Sequence, residues 1–276
     1  MTESSDELPT SDAAEVNTDQ FFFPGDGLSA LLVHGLTGTP YEMRYLGECL
    51  AARGVRVRGV KLAGHAAEPY DLGATGPDNW YESVVEGFEE LRQYGEANVV
   101  IGLSMGAVLA ARLAADQRES VAGLVMLAPA FFLPPAVTAA LKAVKLLGPR
   151  GDSLYLHSNA GSDIHDAGAR RVHPSSRLMP ISAPIRLLAL SAQVRRMLPR
   201  ITQPTLVIHA KDDHTCPMRR NVNYVMKHLG SKAKRAVRLD ESFHVITVDS
   251  ERERVASEVI EFASQFGAAP QQRAAV

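Results

Sequence analysis

The chain has 276 residues, 46% of them hydrophobic, and its 29 Lys and Arg stand against 31 Asp and Glu for a formal net charge of −2. That is long and apolar enough to bury one large α/β core, and nothing in it marks a second independent domain. The near balance of charge excludes a basic field for nucleic acid or an anionic membrane. With only Cys49 and Cys216, the chain has no disulfide framework, which is compatible with a reducing compartment.

Residues 1–19 are polar, acidic and poor in aromatics, the composition of a mobile tail. They lack the basic start and apolar stretch of a secretory signal, and no later run reaches the length of a membrane span. The expectation is a cytoplasmic protein without stable membrane insertion. Phe21-Phe22-Phe23 reads as a short early strand packed on the core, in preference to a membrane-touching patch. Strands predicted near 29–34, 55–60, 98–103, 121–128, 204–209 and 235–240 then alternate with helices near 40–52, 78–94, 105–117, 218–229 and 250–266. Such alternation predicts an α/β fold, a mostly parallel central sheet with helices on both faces. Ser250-Glu251-Arg252-Glu253 offers a capping-box start for the last helix. Residues 130–203 are far too many for an ordinary connection. They read as a helical cap or lid inserted into a core made of 20–129 and 204–266, with 267–276 as a flexible C-terminal tail.

Gly102-Leu103-Ser104-Met105-Gly106 lies between the apolar run Asn98-Val99-Val100-Ile101 and the helix-like stretch that starts at Ala107. A serine at the tip of a strand-to-helix elbow is held in a strained backbone conformation. Its neighbours two residues away on each side then come too close to tolerate a Cβ, a need that Gly102 and Gly106 meet. The helix start also aims free backbone N–H groups at any oxyanion that forms beside the hydroxyl.

Such an elbow needs an acid after a later strand and a histidine after a still later one. Asp212 and Asp213 follow the strand at 204–209, and His244 follows the one at 235–240. His244 is the expected acceptor of the Ser104 proton. Asp213, preferred over Asp212, is the carboxylate that fixes the imidazole tautomer and stabilises the imidazolium. The glycine-containing turn His34-Gly35-Leu36-Thr37-Gly38 after the strand at 29–34 completes an oxyanion hole, assigned to the N–H groups of Leu36 and Met105. His34 reads as a structural hydrogen-bonding group, because its loop must place an amide. Cys216 reads as an apolar filler. His209, His214 and Asp213 lack a metal-binding spacing, so no metal is expected. In the cap, the apolar stretches 136–147 and 185–190 predict helices that roof the serine, and some of Phe131, Phe132, Leu133 and Leu187 are expected to line an acyl slot.

The blocks His34–Gly38, Gly102–Gly106, Asp212-Asp213-His214-Thr215-Cys216-Pro217 and Ser242-Phe243-His244-Val245-Ile246-Thr247 resemble the four signature blocks of small bacterial carboxylesterases and monoacylglycerol lipases, members of the α/β-hydrolase superfamily. The resemblance covers about residues 20 to 266, including Gly161-Ser162-Asp163-Ile164, which is similar to a segment of that family's cap. In the family the acid is the aspartate just before a His-x-Val-Pro type ending, a pattern that falls on Asp213, with Cys216 where valine is usual. The resemblance implies the α/β-hydrolase fold with a helical cap. It also implies serine carboxylesterase activity through an acyl-enzyme on small-molecule esters, monoacylglycerols among them, with no cofactor.

Other readings use the same residues. Handing the acyl group to an alcohol would make the triad an acyltransferase, and amide or carbon–carbon bond hydrolysis shares its machinery. A non-catalytic ligand-binding homologue is the remaining class. Serine at the elbow argues against dehalogenases and epoxide hydrolases, which use a carboxylate there. The pattern does not choose between a monomer and a homodimer.

Overall fold

The computed structural model describes residues 16–65, 69–95, 97–157, 161–174, 176 and 178–267. Its strands are β1 (Phe21–Phe23), β2 (Leu28–Val33), β3 (Arg56–Val60), β4 (Ala97–Leu103), β5 (Gly123–Leu127), β6 (Tyr155–His157), β7 (Leu178–Pro180), β8 (Thr205–Ala210) and β9 (Lys234–Leu239). Seven of them form one sheet in the order β1-β3-β2-β4-β5-β8-β9. β1 is antiparallel to β3, and every other neighbouring pair is parallel. The register sets Val33 beside Gly102, Leu103 beside Leu127 and Ala210 beside Leu239. The loops that leave β2, β4, β8 and β9 therefore emerge along one edge of the sheet, where open α/β sheets carry their sites.

The helices are α1 (Tyr41–Ala51), α2 (Pro69–Ala74), α3 (Pro77–Arg92), α4 (Met105–Asp116), α5 (Pro135–Lys145), α6 (Pro149–Asp152), α7 (Ala167–Val172), α8 (Ser182–Arg195), α9 (Met218–His228) and α10 (Arg252–Ser264). The central strands read as continuous apolar runs because both faces of the sheet are covered. Leu31, Val33, Val100, Leu124 and Met126 pack with α3 and α4, whereas Ala30, Leu32, Val99, Ile101 and Val125 pack with α1 and α10. This period-two division is what pleating requires. On α3, Trp80, Val84, Phe88 and Leu91 form the buried stripe at helical spacing.

The expected alternation is present, with additions and corrections. Phe21 of β1 is buried in the core, while exposed Phe22 stacks on Tyr94 with ring centroids 6.2 Å apart. Asp19 does not belong to a free tail: its carboxylate lies 3.2 Å from Lys61 Nζ, and its carbonyl accepts a hydrogen bond from Arg44. Residues 1–15 and 268–276 of the two predicted tails lie outside the described residues. The capping box on α10 does not form. That helix begins at Arg252 with no side-chain cap. The Ser250 hydroxyl lies 3.2 Å from His165 Nδ1, and the Glu251 carboxylate accepts from Glu241 N and Ser242 Oγ.

Between β5 and β8 the cap carries α5 to α8 and the short antiparallel pair β6 and β7. α8 is buried through Ile185, Leu187, Leu190 and Val194, whereas α5 buries only Leu141 and leaves Val137 exposed. Among the described residues, no helix is long and apolar enough to cross a membrane.

Candidate active site

β4 ends at Leu103 and α4 starts at Met105, leaving Ser104 at the junction with φ 56° and ψ −115°. Left-handed backbone at a non-glycine residue is costly and persists only when its surroundings hold it. Here Ser104 N donates to Leu127 O at 2.8 Å, and Ser104 O accepts from Ala107 N and Ala130 N. A Cβ at Gly102 would run into the Gly106 carbonyl, and one at Gly106 would run into the Val33 carbonyl on β2. Glycine at both positions is thus a steric condition for the elbow.

The loops after β8 and β9 bring two further groups to this serine. His244 Nε2 lies 2.8 Å from Ser104 Oγ, and His244 Nδ1 lies 2.7 Å from Asp213 Oδ2. Asp213 Oδ2 also accepts from His209 Nε2 at 2.9 Å, while its Oδ1 accepts from the backbone N–H groups of Thr215 and Cys216 at 2.9 and 2.6 Å. Burial pushes the Asp213 carboxyl up, but the adjacent His244 and the hydrogen bonds from His209 and His244 outweigh it, holding the group well below the usual carboxylate range. Burial alone would lower His244; the charge of Asp213 and the hydrogen bond to it outweigh burial and raise it. Asp212 is exposed, 4.0 Å from Lys211, and does not join this set.

The turn after β2 flanks the serine on its other side. His34 Nε2 accepts from Leu62 N at 3.1 Å, so Nδ1–H donates to Gly35 O at 2.9 Å, and His34 is the structural group expected. Gly35 N donates to the buried Glu42 carboxylate at 3.2 Å. A Cβ at Gly35 would lie 3.3 Å from Ser104 Cβ, so this turn packs directly against the Ser104 side chain. Leu36 follows Gly35. Met105 is the first residue of α4, where backbone N–H groups have no acceptor within the helix.

Ser104, His244 and Leu36 border a cavity of about 380 Å³. Leu133, Pro134, Val137, Leu141 and Leu187 make one part of its wall apolar, while Thr37, Glu42, Ser162, Asp163 and His173 make another part polar. Of the four residues expected at an acyl slot, Leu133 and Leu187 line this cavity. Phe131 and Phe132 are not among the lining. Phe131 is fully buried in the core cluster shared with α4 and α8. Phe132 packs edge-on against Tyr224 at 5.0 Å, with the guanidinium groups of Arg195 and Arg220 over its ring at 4.5 and 4.3 Å. Cys216 is wholly buried, and burial pushes its thiol well up, as befits a filler.

Five residues with no role at the site in the sequence reading border it or hold it: His209, Glu42, His173, Ser162 and Asp163. His209, weighed in the sequence only as a metal ligand, donates to Asp213 from inside β8. Glu42 holds Gly35 N and lies 3.2 Å from His173 Nε2, whose Nδ1 is 2.7 Å from Ser162 Oγ. Burial pushes Glu42 up, yet its hydrogen bond and proximity to His173 keep it low. Asp163 joins the loops that carry Asp213 and His244. Its block, Gly161–Ile164, was the one available signal. Among the described residues, no group of three or more His, Cys, Asp or Glu could hold a metal ion.

The family model described as "Serine aminopeptidase, S33" matches residues 29–251. The chain belongs to that family. As an S33-family member it is an enzyme of the serine hydrolase class. It is 32% identical to a thermostable monoacylglycerol lipase of Bacillus sp. (strain H-257) over 258 residues, 94% of this chain and 97% of that protein. It is 27% identical to a carboxylesterase of Bacillus subtilis (strain 168), covering 90% of this chain and 96% of the relative. Among solved structures, one of the metagenome-derived lipolytic enzymes LipS and LipT superposes with a TM-score of 0.82 at 28% identity, over 90% of this chain and 98% of that one. A soluble variant of the Saccharomyces cerevisiae monoglyceride lipase superposes with a TM-score of 0.77 over 91% of each chain; at 15% identity, it speaks for the α/β-hydrolase fold alone.

Proposed function

We propose that this S33-family chain is a serine carboxylesterase that hydrolyses small carboxylic esters, monoacylglycerols included, through an acyl-enzyme. The observation that carries the reading is the relay Ser104 Oγ to His244 Nε2 and His244 Nδ1 to Asp213 Oδ2, at 2.8 and 2.7 Å, on the wall of a partly apolar cavity. Ser104 Oγ attacks the ester carbonyl carbon while its proton passes to His244 Nε2. The imidazolium, stabilised by Asp213, returns that proton to the leaving alcohol oxygen as the carbon–oxygen bond breaks. Water then repeats the sequence on the acyl-enzyme and releases the acid. The N–H groups of Leu36 and Met105 receive the oxyanion, each such donor being worth roughly 3–4 kcal/mol. The wall formed by Leu133, Val137, Leu141 and Leu187 suits an acyl chain.

Two observations favour an ester over a peptide amino terminus. The relatives at 32% and 27% identity are a lipase and a carboxylesterase. An ammonium group also needs an uncommitted carboxylate, and among the described residues both carboxylates lining the cavity have partners. Glu42 faces His173 and Gly35 N, and Asp163 faces His214 and Thr215. The test is a substrate panel: p-nitrophenyl esters from two to about sixteen acyl carbons, monoacylglycerols, and aminoacyl p-nitroanilides. Turnover of esters with little or no anilide cleavage supports the reading. Preferred anilide cleavage overturns it, and so does predominant transfer to added alcohols.

A further inference from the structure

We propose that Asp163, a cap residue, is a positioning residue for the triad: its backbone carbonyl holds the histidine loop while its carboxylate holds the acid loop. The proposal rests on the esterase reading above. Asp163 O accepts from His244 N at 3.0 Å and from Val245 N at 3.1 Å. Its Oδ2 accepts from His214 N, Thr215 N and Thr215 Oγ1 at 3.0, 3.1 and 2.9 Å, and its Oδ1 lies 2.9 Å from His214 Nδ1. One residue of the insertion thus touches both loops whose spacing sets the Asp213 to His244 hydrogen bond.

The coupling is close. Thr215 N is shared between Asp163 Oδ2 at 3.1 Å and Asp213 Oδ1 at 2.9 Å, so moving one carboxylate disturbs a partner of the other. The cap segment just beyond Asp163 is fastened to the histidine loop again. His165 N and Asp166 N donate to the Asp249 carboxylate at 2.8 and 2.9 Å, and that carboxylate also accepts from Phe243 N at 2.7 Å. The His165 and His214 rings lie edge-on to Phe243 at 5.0 and 4.5 Å. This part of the cap is therefore a strut within the catalytic frame as well as part of the pocket wall. A misplacement of 1 Å between reacting groups costs on the order of 10²-fold in rate, the scale on which such a strut acts.

The carboxylate also adds charge. His244 faces Asp213 from the loop after β8, Asp163 from the cap and Glu42 from α1, and each raises it against the burial that lowers it; His209 and His214 are the titratable neighbours of that acid loop. Asparagine at 163 can keep an oxygen where Oδ2 accepts while removing the charge, whereas alanine removes both.

The experiment compares wild type, Asp163→Ala and Asp163→Asn for kcat and KM on p-nitrophenyl butyrate, the pH profile of kcat/KM, and Tm. Asp163→Ala is expected to lose on the order of 10²-fold in kcat with KM little changed. Asp163→Asn is expected to keep most of kcat and to show its acid limb at lower pH than wild type. An alanine variant with wild-type kcat, even at reduced Tm, overturns the proposal, and so does an asparagine variant with the wild-type acid limb. The asparagine variant decides alone if the alanine variant does not fold. A wild-type protein that turns over no ester would instead defeat the esterase reading, which separates the two failures.

Discussion

Asp213 Oδ2 lies 2.7 Å from Nδ1 of His244. It sets the two members of the Asp212-Asp213 pair apart, because the Asp212 side chain is about half exposed at 52% and the Asp213 side chain is wholly buried. Asp213→Asn keeps the shape but presents an amide where His244 Nδ1–H needs an acceptor. Its kcat is expected to fall by about 10⁴, as for the equivalent change in serine proteases, whereas Asp212→Asn stays near wild type. Steady-state hydrolysis of p-nitrophenyl butyrate checks both, and a more damaging Asp212 variant would reassign the acid.

His244 must be neutral to take the serine proton, and Asp213 raises it above the ordinary 6.5. The acid limb of kcat/KM should accordingly lie above pH 6.5, and in Asp213→Asn it should move down. Stability runs the other way. A raised histidine contributes stability that is complete below its unfolded value and is lost as pH rises through its folded value. Activity therefore rises over the interval in which this contribution declines. A pH–rate profile together with denaturant unfolding on both sides of that limb tests the pair of trends; an acid limb below pH 6.5 contradicts them.

Gly106 lies where a Cβ would meet the Val33 carbonyl of β2. Gly106→Ala must push α4 away from the sheet, and overpacking of this kind costs roughly 1–3 kcal/mol. The expected outcome is a lowered Tm and a loss of kcat larger than any change in KM, since the elbow moves with the helix. A variant with unchanged Tm and kcat would show that the close approach has no consequence.

Leu187 lines the cavity and Phe132 does not. Leu187→Phe should shift the optimum acyl length of an ester panel to shorter chains, whereas Phe132→Ala should leave the optimum in place. The reverse result would move the acyl slot to the Arg195 and Arg220 side of the cap.

The main frame was legible because steric and periodic demands are written locally: glycines on both sides of Ser104, apolar strand runs, and acid and histidine after successive strands. What was not legible depends on direction and on main-chain groups. Phe131 and Phe132 are adjacent and equally apolar, yet one enters the core and the other turns to Tyr224. Asp163 acts partly through a carbonyl oxygen, which every residue has. Glu42 occupies the first turn of α1, where an acid needs no special explanation, and only the folded turn brings Gly35 N to it. β6 and β7, three residues each, are too short to show a period.

The central claim is that Ser104 is a nucleophile activated by His244. Reaction of the purified protein with a fluorophosphonate, followed by peptide mass spectrometry, tests it most directly. A single phosphonylated peptide carrying the adduct on Ser104 is expected, with none in Ser104→Ala and much slower labelling in His244→Ala. Ester turnover that persists in Ser104→Ala, or an adduct on another residue, would contradict it.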